Sequence, residues 1–186
     1  MDFFNQTGKL AIGSRLRMLT DKITVDAAAI YKMFGVDLKP KWFPVFFVLS
    51  RGEAKTITSI AKEIGHSHPS VSNIIKEMVA KGLVKETKDK SDGRRNMVML
   101  SAKGKRMSDS FSEQCIDVTA AIEQITQQTR NDLWEAIEEW ENLLLDKSLL
   151  ERVKEAKKER ESKDIKIVPY EPCYQRNQAK TAGKYR

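Results

Sequence analysis

Apolar residues recur every three or four positions along the first part of the chain, which is the spacing of one helix face. This stripe consists of Leu16, Leu19, Ile23, Ala27, Ile30 and Phe34. The pattern predicts a long helix over residues 8–34 that stops at Gly35. The segment KPKWFPVFFVLSRG, residues 39–52, then predicts a short buried helix. Pro44 lies in its first turn, where the missing N–H costs little.

The polar and apolar positions next predict two helices joined by a tight turn. The first lies in TITSIAKEIG, residues 56–65, with Thr58 as a candidate N-cap and Gly65 as its end. The second begins in HSHPS, with Ser67 as N-cap and Pro69 early, and Gly82 stops it. Its apolar face contains Val71, Ile74, Ile75 and Met78. Its other face contains Pro69, Ser70, Ser72, Asn73, Lys76 and Glu77.

The period of the pattern then changes from helix to strand. Leu83–Glu86 and Met97–Leu100 predict two strands, and the basic segment between them, KDKSDGRRN, predicts their turn. The pair Asp92-Gly93 is a hairpin signal. The middle of the chain is therefore helix, turn, helix and β-hairpin, which is the outline of a winged helix.

Two further apolar stripes follow the hairpin. One contains Met107, Phe111, Cys115, Val118, Ile122 and Ile125, and the other contains Leu133, Ile137, Trp140 and Leu144. Stripes of this kind on long helices are typical of burial against other helices, here including those of a second subunit. From about Arg152 a charge-rich helical extension is predicted, and the last residues lose the helical period.

Charge is distributed unevenly along these elements. Residues 51–106 carry a net charge of +7, whereas residues 107–149 carry −8. A basic middle segment beside an acidic one indicates that the middle faces a polyanion. The chemistry of the second helix agrees, because Ser, Asn and Lys can bind base edges or phosphates in the major groove. A basic hairpin can reach the adjacent minor groove.

Composition limits the class of protein further. The chain has 9 glycines and 5 prolines in 186 residues, which favours helices. Its two cysteines, Cys115 and Cys173, form no disulfide framework and fit a reducing compartment. The longest uncharged apolar stretch, Trp42 to Ser50, is too short to span a bilayer. We therefore expect a cytoplasmic protein that binds no membrane.

The segment of residues 56–104 resembles the MarR (multiple-antibiotic-resistance regulator) family of bacterial winged-helix transcription factors. The most specific part is the wing motif Asp-x-Arg-x5-Leu-[Ser/Thr], met by Asp92, Arg94, Leu100 and Ser101 and followed by AKG. The resemblance implies a homodimer with interlocking terminal helices and two recognition helices in successive major grooves. It also implies that Arg94 enters the minor groove, that Asp92 helps to hold it, and that a small ligand can act as effector.

The predicted fold is mainly α with a small β-hairpin wing: a winged helix-turn-helix whose N- and C-terminal helices form a dimerisation region. The predicted divisions are N-terminal helices over 1–50, the DNA-binding domain over 51–104, dimerisation helices over 105–161 and a basic tail over 162–186. The predicted DNA-binding residues are His68, Pro69, Ser70, Ser72, Asn73, Lys76, Lys88, Lys90, Ser91, Asp92, Arg94 and Arg95. The predicted dimer interface comprises Leu16, Leu19, Ile23, Phe111, Val118, Ile122, Leu133, Ile137, Trp140 and Leu144.

The predicted function is sequence-specific regulation of transcription on a pseudo-palindromic operator, as a repressor, with no cofactor and no enzymatic activity. Two alternatives are an architectural winged helix without sequence preference and the regulatory part of a truncated acetyltransferase. The second arises because DIKIVPYEPCYQ in the tail resembles the first strand of GNAT acetyltransferases, although too few residues follow for an acetyl-coenzyme A site.

Several single residues allow a second interpretation. His66 and His68 allow a metal site, but no Cys or Glu stands nearby at ligand spacing, and their place in a turn favours polar capping or a phosphate contact. Cys115 is either a redox switch or a buried thiol, and its place on an apolar stripe favours the thiol. Trp134 and Trp140 line either an effector pocket or, as we prefer, a core or dimer interface.

Overall fold

The fold is taken from a computed structural model that describes residues 2–88 and 96–163. Its α-helices are α1 (Asp2–Thr7), α2 (Ile12–Met33), α3 (Phe43–Ser50), α4 (Ile57–Glu63), α5 (His68–Ala80), α6 (Ala102–Gln128), α7 (Leu133–Asp146) and α8 (Leu149–Ser162). Its strands are β1 (Val84–Lys88) and β2 (Asn96–Leu100), and single 3₁₀ turns occupy Gly8–Ala11 and Pro40–Trp42. The prediction of a mainly helical protein with one small hairpin is confirmed.

The described chain divides into two compact units, one of residues 20–120 and one of residues 2–19 with 121–163. The unit of residues 20–120 holds the hydrophobic core. Its most deeply buried side chains are Trp42, Val45, Phe46, Leu49, Ile60, Val71, Ile75, Met78, Leu83, Val98 and Phe111. They come from the turn Pro40–Trp42, from α3, α4, α5 and α6, and from the hairpin with the residue before it, so one core joins the helix-turn-helix to the wing. The predicted domain boundaries at residues 50, 104 and 161 remain predictions.

Helices α4 and α5 begin at hydroxyl caps and are joined by the turn at Gly65. Gly65 has φ of +68°, a left-handed conformation in which glycine carries no steric penalty. The Oγ of Ser67 accepts from the N–H of Ser70, which confirms the predicted start of α5. The cap of α4 is Thr56 rather than the predicted Thr58, because Thr56 has the extended backbone of a cap and accepts from Ser59 at 3.1 Å.

The two strands pair antiparallel with Val84 opposite Leu100 and Lys88 opposite Asn96. Lys55, just before α4, pairs with Val98 on the other side of β2 through both of its backbone groups, at 2.8 and 2.9 Å. The wing is therefore attached by backbone hydrogen bonds to the segment that enters the helix-turn-helix. Strand β1 extends two residues beyond its predicted end.

Ser101 and Gly104 form the junction between the wing and α6. The Oγ of Ser101 donates to the carbonyl of Gly82 and accepts from the N–H of Gly104 at 3.1 Å. A Cβ on Gly104 would collide with the carbonyl oxygen of Leu83. The close approach of α6 to the end of α5 therefore requires glycine at this position.

The terminal helices differ in detail from the predicted ones. The helix predicted over residues 8–34 is α-helical over Ile12–Met33, because Gly8–Ala11 forms a 3₁₀ turn, and the unpredicted α1 precedes that turn. The charge-rich extension begins at Leu149 rather than near Arg152, because Ser148 and Glu151 form a capping box. Helices α7 and α8 contain no buried residue. No helix in the described ranges 2–88 and 96–163 is long and apolar enough to cross a membrane.

Candidate nucleic-acid interface

Helix α5 presents a polar face to solvent and an apolar face to the core. Val71, Ile75 and Met78 are fully buried, whereas the predicted base-reading residues lie on the opposite side. His68, Pro69, Ser70, Asn73 and Lys76 are exposed, and Ser72 is half-buried. The structure therefore brings this predicted group together on one surface, which we call the α5 polar face.

The first turn of α5 adds backbone chemistry to the α5 polar face. Its N-terminus carries the partial positive charge of a helix end, which favours anions such as phosphate. The turn before it is fixed by Ser67 and by a contact of 2.8 Å between His66 Nδ1 and the carbonyl oxygen of Ile64. Among the residues that the structure describes, no group of His, Cys, Asp and Glu is placed to hold a metal ion.

Glu77, one helical turn beyond Asn73, is held by three side chains from the turn before α3. Its carboxylate accepts from Lys41 Nζ at 2.6 Å and from the indole N–H of Trp42 at 2.9 Å. Lys39 Nζ lies 3.7 Å away. The hydrogen bonds from Lys41 and Trp42 keep the pKa of Glu77 below its usual value. This carboxylate on the predicted DNA-binding helix is therefore stabilised in its charged form and lies beside two lysines.

The wing is described only at its base. Lys88, at the end of β1, is exposed and lies opposite Asn96. The other predicted wing contacts, Lys90, Ser91, Asp92, Arg94 and Arg95, lie outside the described residues. Their roles stay predictions from the sequence.

The predicted dimer residues fall into two groups. Leu16, Leu19, Ile23, Ile122, Leu133, Ile137, Trp140 and Leu144 are exposed in the single chain, between 39% and 59%, and Val118 is half-buried. Phe111 is the exception, with 2% exposure. Its ring packs against Phe46 of the same chain, so the assignment of Phe111 to a dimer interface is corrected to the chain's own core.

The structure also bears on three residues that allowed two interpretations, which are Cys115, Trp134 and Trp140. Cys115 is half-buried against the core, and burial raises the pKa of its thiol, which lowers the thiolate population that oxidation requires. Trp134 and Trp140 are exposed in the single chain, at 72% and 53%, so they do not belong to its core.

Sequence reasoning missed the cluster of Lys39, Lys41, Trp42 and Glu77. It placed Glu77 on the outward face of the helix but assigned it no partner. The only local signal was the pair of lysines around a proline in KPKW. Nothing in that segment indicates a contact with a helix that begins nearly thirty residues later.

Comparisons with known proteins agree with this geometry. Residues 36–95 match the family model described as MarR family, whereas no curated protein matches the sequence. The chain is similar in structure to the transcriptional repressor CouR bound to a 23-mer DNA duplex, at 20% identity and a TM-score of 0.56, over 75% of this chain and 96% of that one.

Two further regulators show the same fold. The PcaV transcriptional regulator of Streptomyces coelicolor, in complex with its natural ligand, has 13% identity and a TM-score of 0.55, over 73% of this chain and 92% of its own. The adhesin competence repressor AdcR of Streptococcus pyogenes has 19% identity and a TM-score of 0.54, over 72% and 95%.

The fold is thus that of the winged-helix transcriptional regulators. Within it, residues 36–95 match the MarR family model.

Proposed function

We propose that this protein is a cytoplasmic, homodimeric, sequence-specific regulator of transcription that binds double-stranded DNA and represses the genes it controls. The α5 polar face is the observation that carries this proposal. An exposed row of Ser, Asn and Lys on a helix with a fully buried opposite side fits the major groove, where each base pair presents a distinct pattern of donors and acceptors. The protein acts by binding, not as an enzyme.

A dimer is supported by the apolar side chains of the terminal helices. Helices α7 and α8 contain no buried residue within one chain, yet the stripe of α7 contains exposed leucine, isoleucine and tryptophan side chains. Contiguous exposed apolar surface of this kind marks an interface. A symmetric pair of α5 helices then binds two half-sites about one helical turn apart.

Modulation by a small ligand or stress signal is the third part of the proposal. PcaV, which shares the fold, was solved with its natural ligand, and CouR with a DNA duplex. An effector lowers DNA affinity when it binds more tightly to a dimer whose α5 helices have the wrong separation. The effect is limited by the difference of its affinities for the two states.

The test is selection of bound duplexes from a random DNA pool by the purified chain at near-physiological salt. We expect an inverted repeat with half-sites about ten base pairs apart. Binding without any repeat and with a steep salt dependence would indicate an architectural protein. Recovery of no DNA, together with binding of acetyl-coenzyme A, would support a truncated acetyltransferase.

A further inference from the structure

Beside the α5 polar face, the turn Pro40–Trp42 and the residue before it carry two lysines that no predicted contact uses. Lys39 and Lys41 flank Pro40, and both side chains remain 56% exposed. We propose that Lys39 and Lys41 bind phosphates of the DNA strand that borders the major groove occupied by α5, and that Glu77 holds them beside α5 in the free protein. This inference rests on the proposed function and names a contact surface outside both the recognition helix and the wing.

The turn holds these lysines on a rigid base. Trp42 is 1% exposed, its backbone N–H donates to the carbonyl of Lys39 at 2.8 Å, and its indole donates to Glu77. The ammonium of Lys39 also lies 4.9 Å from the centre of the indole ring. The backbone and the aromatic platform are therefore fixed, while the charged ends reach solvent.

The position of the turn fits the course of a DNA backbone. Lys41 and Pro44 line one side of a cleft of about 310 Å³, and Ser70, Asn73 and Glu77 of α5 line the other. A helix that reads bases in the major groove has a phosphate backbone along each side. The cleft directly adjoins the proposed base-reading residues, so a backbone strand, rather than an enclosed ligand, is the occupant that the geometry favours.

The two lysines offset the negative charge of Glu77, so this carboxylate is compatible with a phosphate nearby. A lone carboxylate on a DNA-binding helix would repel phosphate, but this one is bonded to Lys41 and lies near Lys39. The three groups together carry a net positive charge of one. Ion pairs between exposed groups are weak and screened, so the ammonium groups can exchange a carboxylate partner for phosphate while Trp42 keeps Glu77 in place.

The test compares Lys39→Gln/Lys41→Gln with the unaltered chain, using the duplex recovered by selection and an unrelated duplex. Loss of phosphate contacts reduces the slope of log affinity against log salt by about one for each lysine lost. A dimer of the double variant loses four lysines, so we expect the slope to fall by about 4 and the affinity to fall at least about tenfold on both duplexes. Lys41→Arg should retain most of the affinity, because its charge is kept.

Two controls separate this role from others. Lys103→Gln removes a lysine that contacts the carbonyl of Lys81 and Asp37 at the far end of α5, and it should leave the slope nearly unchanged. The substitution Glu77→Gln is combined with the double variant to ask whether the lysines only mask the carboxylate. Under the proposal, the loss of affinity persists in the Glu77→Gln background.

Four outcomes would overturn the inference. Full recovery of affinity in the triple variant would show that the lysines act only by neutralising Glu77. A changed sequence preference with an unchanged salt slope would make them base contacts. If the unaltered chain bound the selected duplex and the double variant matched it, this inference alone would fail. Absence of any DNA binding by the unaltered chain would remove the proposed function and this inference together.

Discussion

The ring of Phe111 on α6 packs edge-on against the ring of Phe46 on α3, with centroids 4.8 Å apart. Phe43 and Phe47 lie on the same side, at 5.8 and 6.5 Å. This aromatic group attaches the first half of α6 to the core of the unit of residues 20–120. The apolar stripe of α6 is thus divided, with Phe111 facing its own chain and residues such as Ile122 and Ile125 exposed.

Replacing Phe111 by alanine is expected to lower the free energy of unfolding by about 3–5 kcal/mol, because it leaves a cavity among three rings. Urea denaturation measures the effect. Ser112→Ala, at the neighbouring exposed position, is the control and should change stability by less than about 0.5 kcal/mol. If the Phe111→Ala protein had normal stability but an altered oligomeric state, Phe111 would belong to the dimer interface and not to the core of its own chain.

Gly104→Ala is expected to destabilise the fold by about 1–3 kcal/mol through overpacking. The new Cβ would meet the carbonyl oxygen of Leu83, which is fixed because it accepts from the N–H of Ser101 at 2.9 Å. Gly13→Ala is the matched control, since nothing lies within 4 Å of its Cβ position. Thermal unfolding of both variants side by side tests the contrast, and equal melting temperatures would contradict it.

Tyr31 provides a pH-dependent contribution to stability. Its side chain is 4% exposed, and burial, with a smaller effect of Cys115, raises its pKa to about 12. The unfolded chain loses this proton near pH 10, so the contribution is complete below about pH 10 and is lost as the pH rises toward 12.

We therefore expect the unaltered chain to lose stability between these pH values more steeply than Tyr31→Phe, by up to about 1.4 kcal/mol per pH unit. Unfolding in urea at a series of pH values gives the difference between the two proteins. Since lysines titrate in the same range in both, only this difference reports on Tyr31. Parallel curves would show that the phenol is not protected by burial.

A charge on the apolar stripe of α7 should dissociate the proposed dimer. Trp140→Asp places a carboxylate among exposed apolar residues, and desolvating an unpaired charge is unfavourable. Asn142→Asp adds the same charge on the opposite side of the helix and should leave the dimer intact. Sedimentation at micromolar concentration distinguishes them, and a monomeric unaltered chain would refute the dimer itself.

Within the α5 polar face, Asn73→Ala and Lys76→Ala should each change which duplex is preferred. Side chains that bind base edges contribute about 1–3 kcal/mol of discrimination for each good pair. Arg94→Ala in the wing should instead weaken binding most where the minor groove is narrow. Repeated selection with each variant measures preference, and a uniform loss for all three would contradict base reading by Asn73 and Lys76.

Elements that depend on local signals could be predicted from the sequence. The start of α5 follows from Ser67 and Pro69, and its end from Gly82, since caps and left-handed glycines act within one turn of the chain. The same local rule was available for α8, where Ser148 and Glu151 have capping-box spacing. The sequence alone does not show whether Thr56 or Thr58 caps α4. Either hydroxyl can act as a cap, and only the backbone conformation decides between them.

Contacts between distant segments could not be predicted in this way. An apolar stripe shows that a helix is buried on one side but does not identify what covers it, which is why Phe111 was assigned to a partner subunit. The contact between Lys41 and Glu77 joins residues that are 36 positions apart in the chain. No pattern in either local sequence indicates the other residue as its partner. Such pairs depend on how the turn before α3 meets α5 in the folded core.

The absence of buried residues in α7 and α8 also affects how readily proteases can cleave the chain. Isolated helices of 14 residues are marginally stable in water, so in the proposed dimer these segments gain their burial only when two chains meet. Assembly then lowers the population of chains open to proteases, as any association that stabilises the folded form does. In the proposed dimer, the chain is therefore protected better at concentrations above the dissociation constant of the dimer than below it.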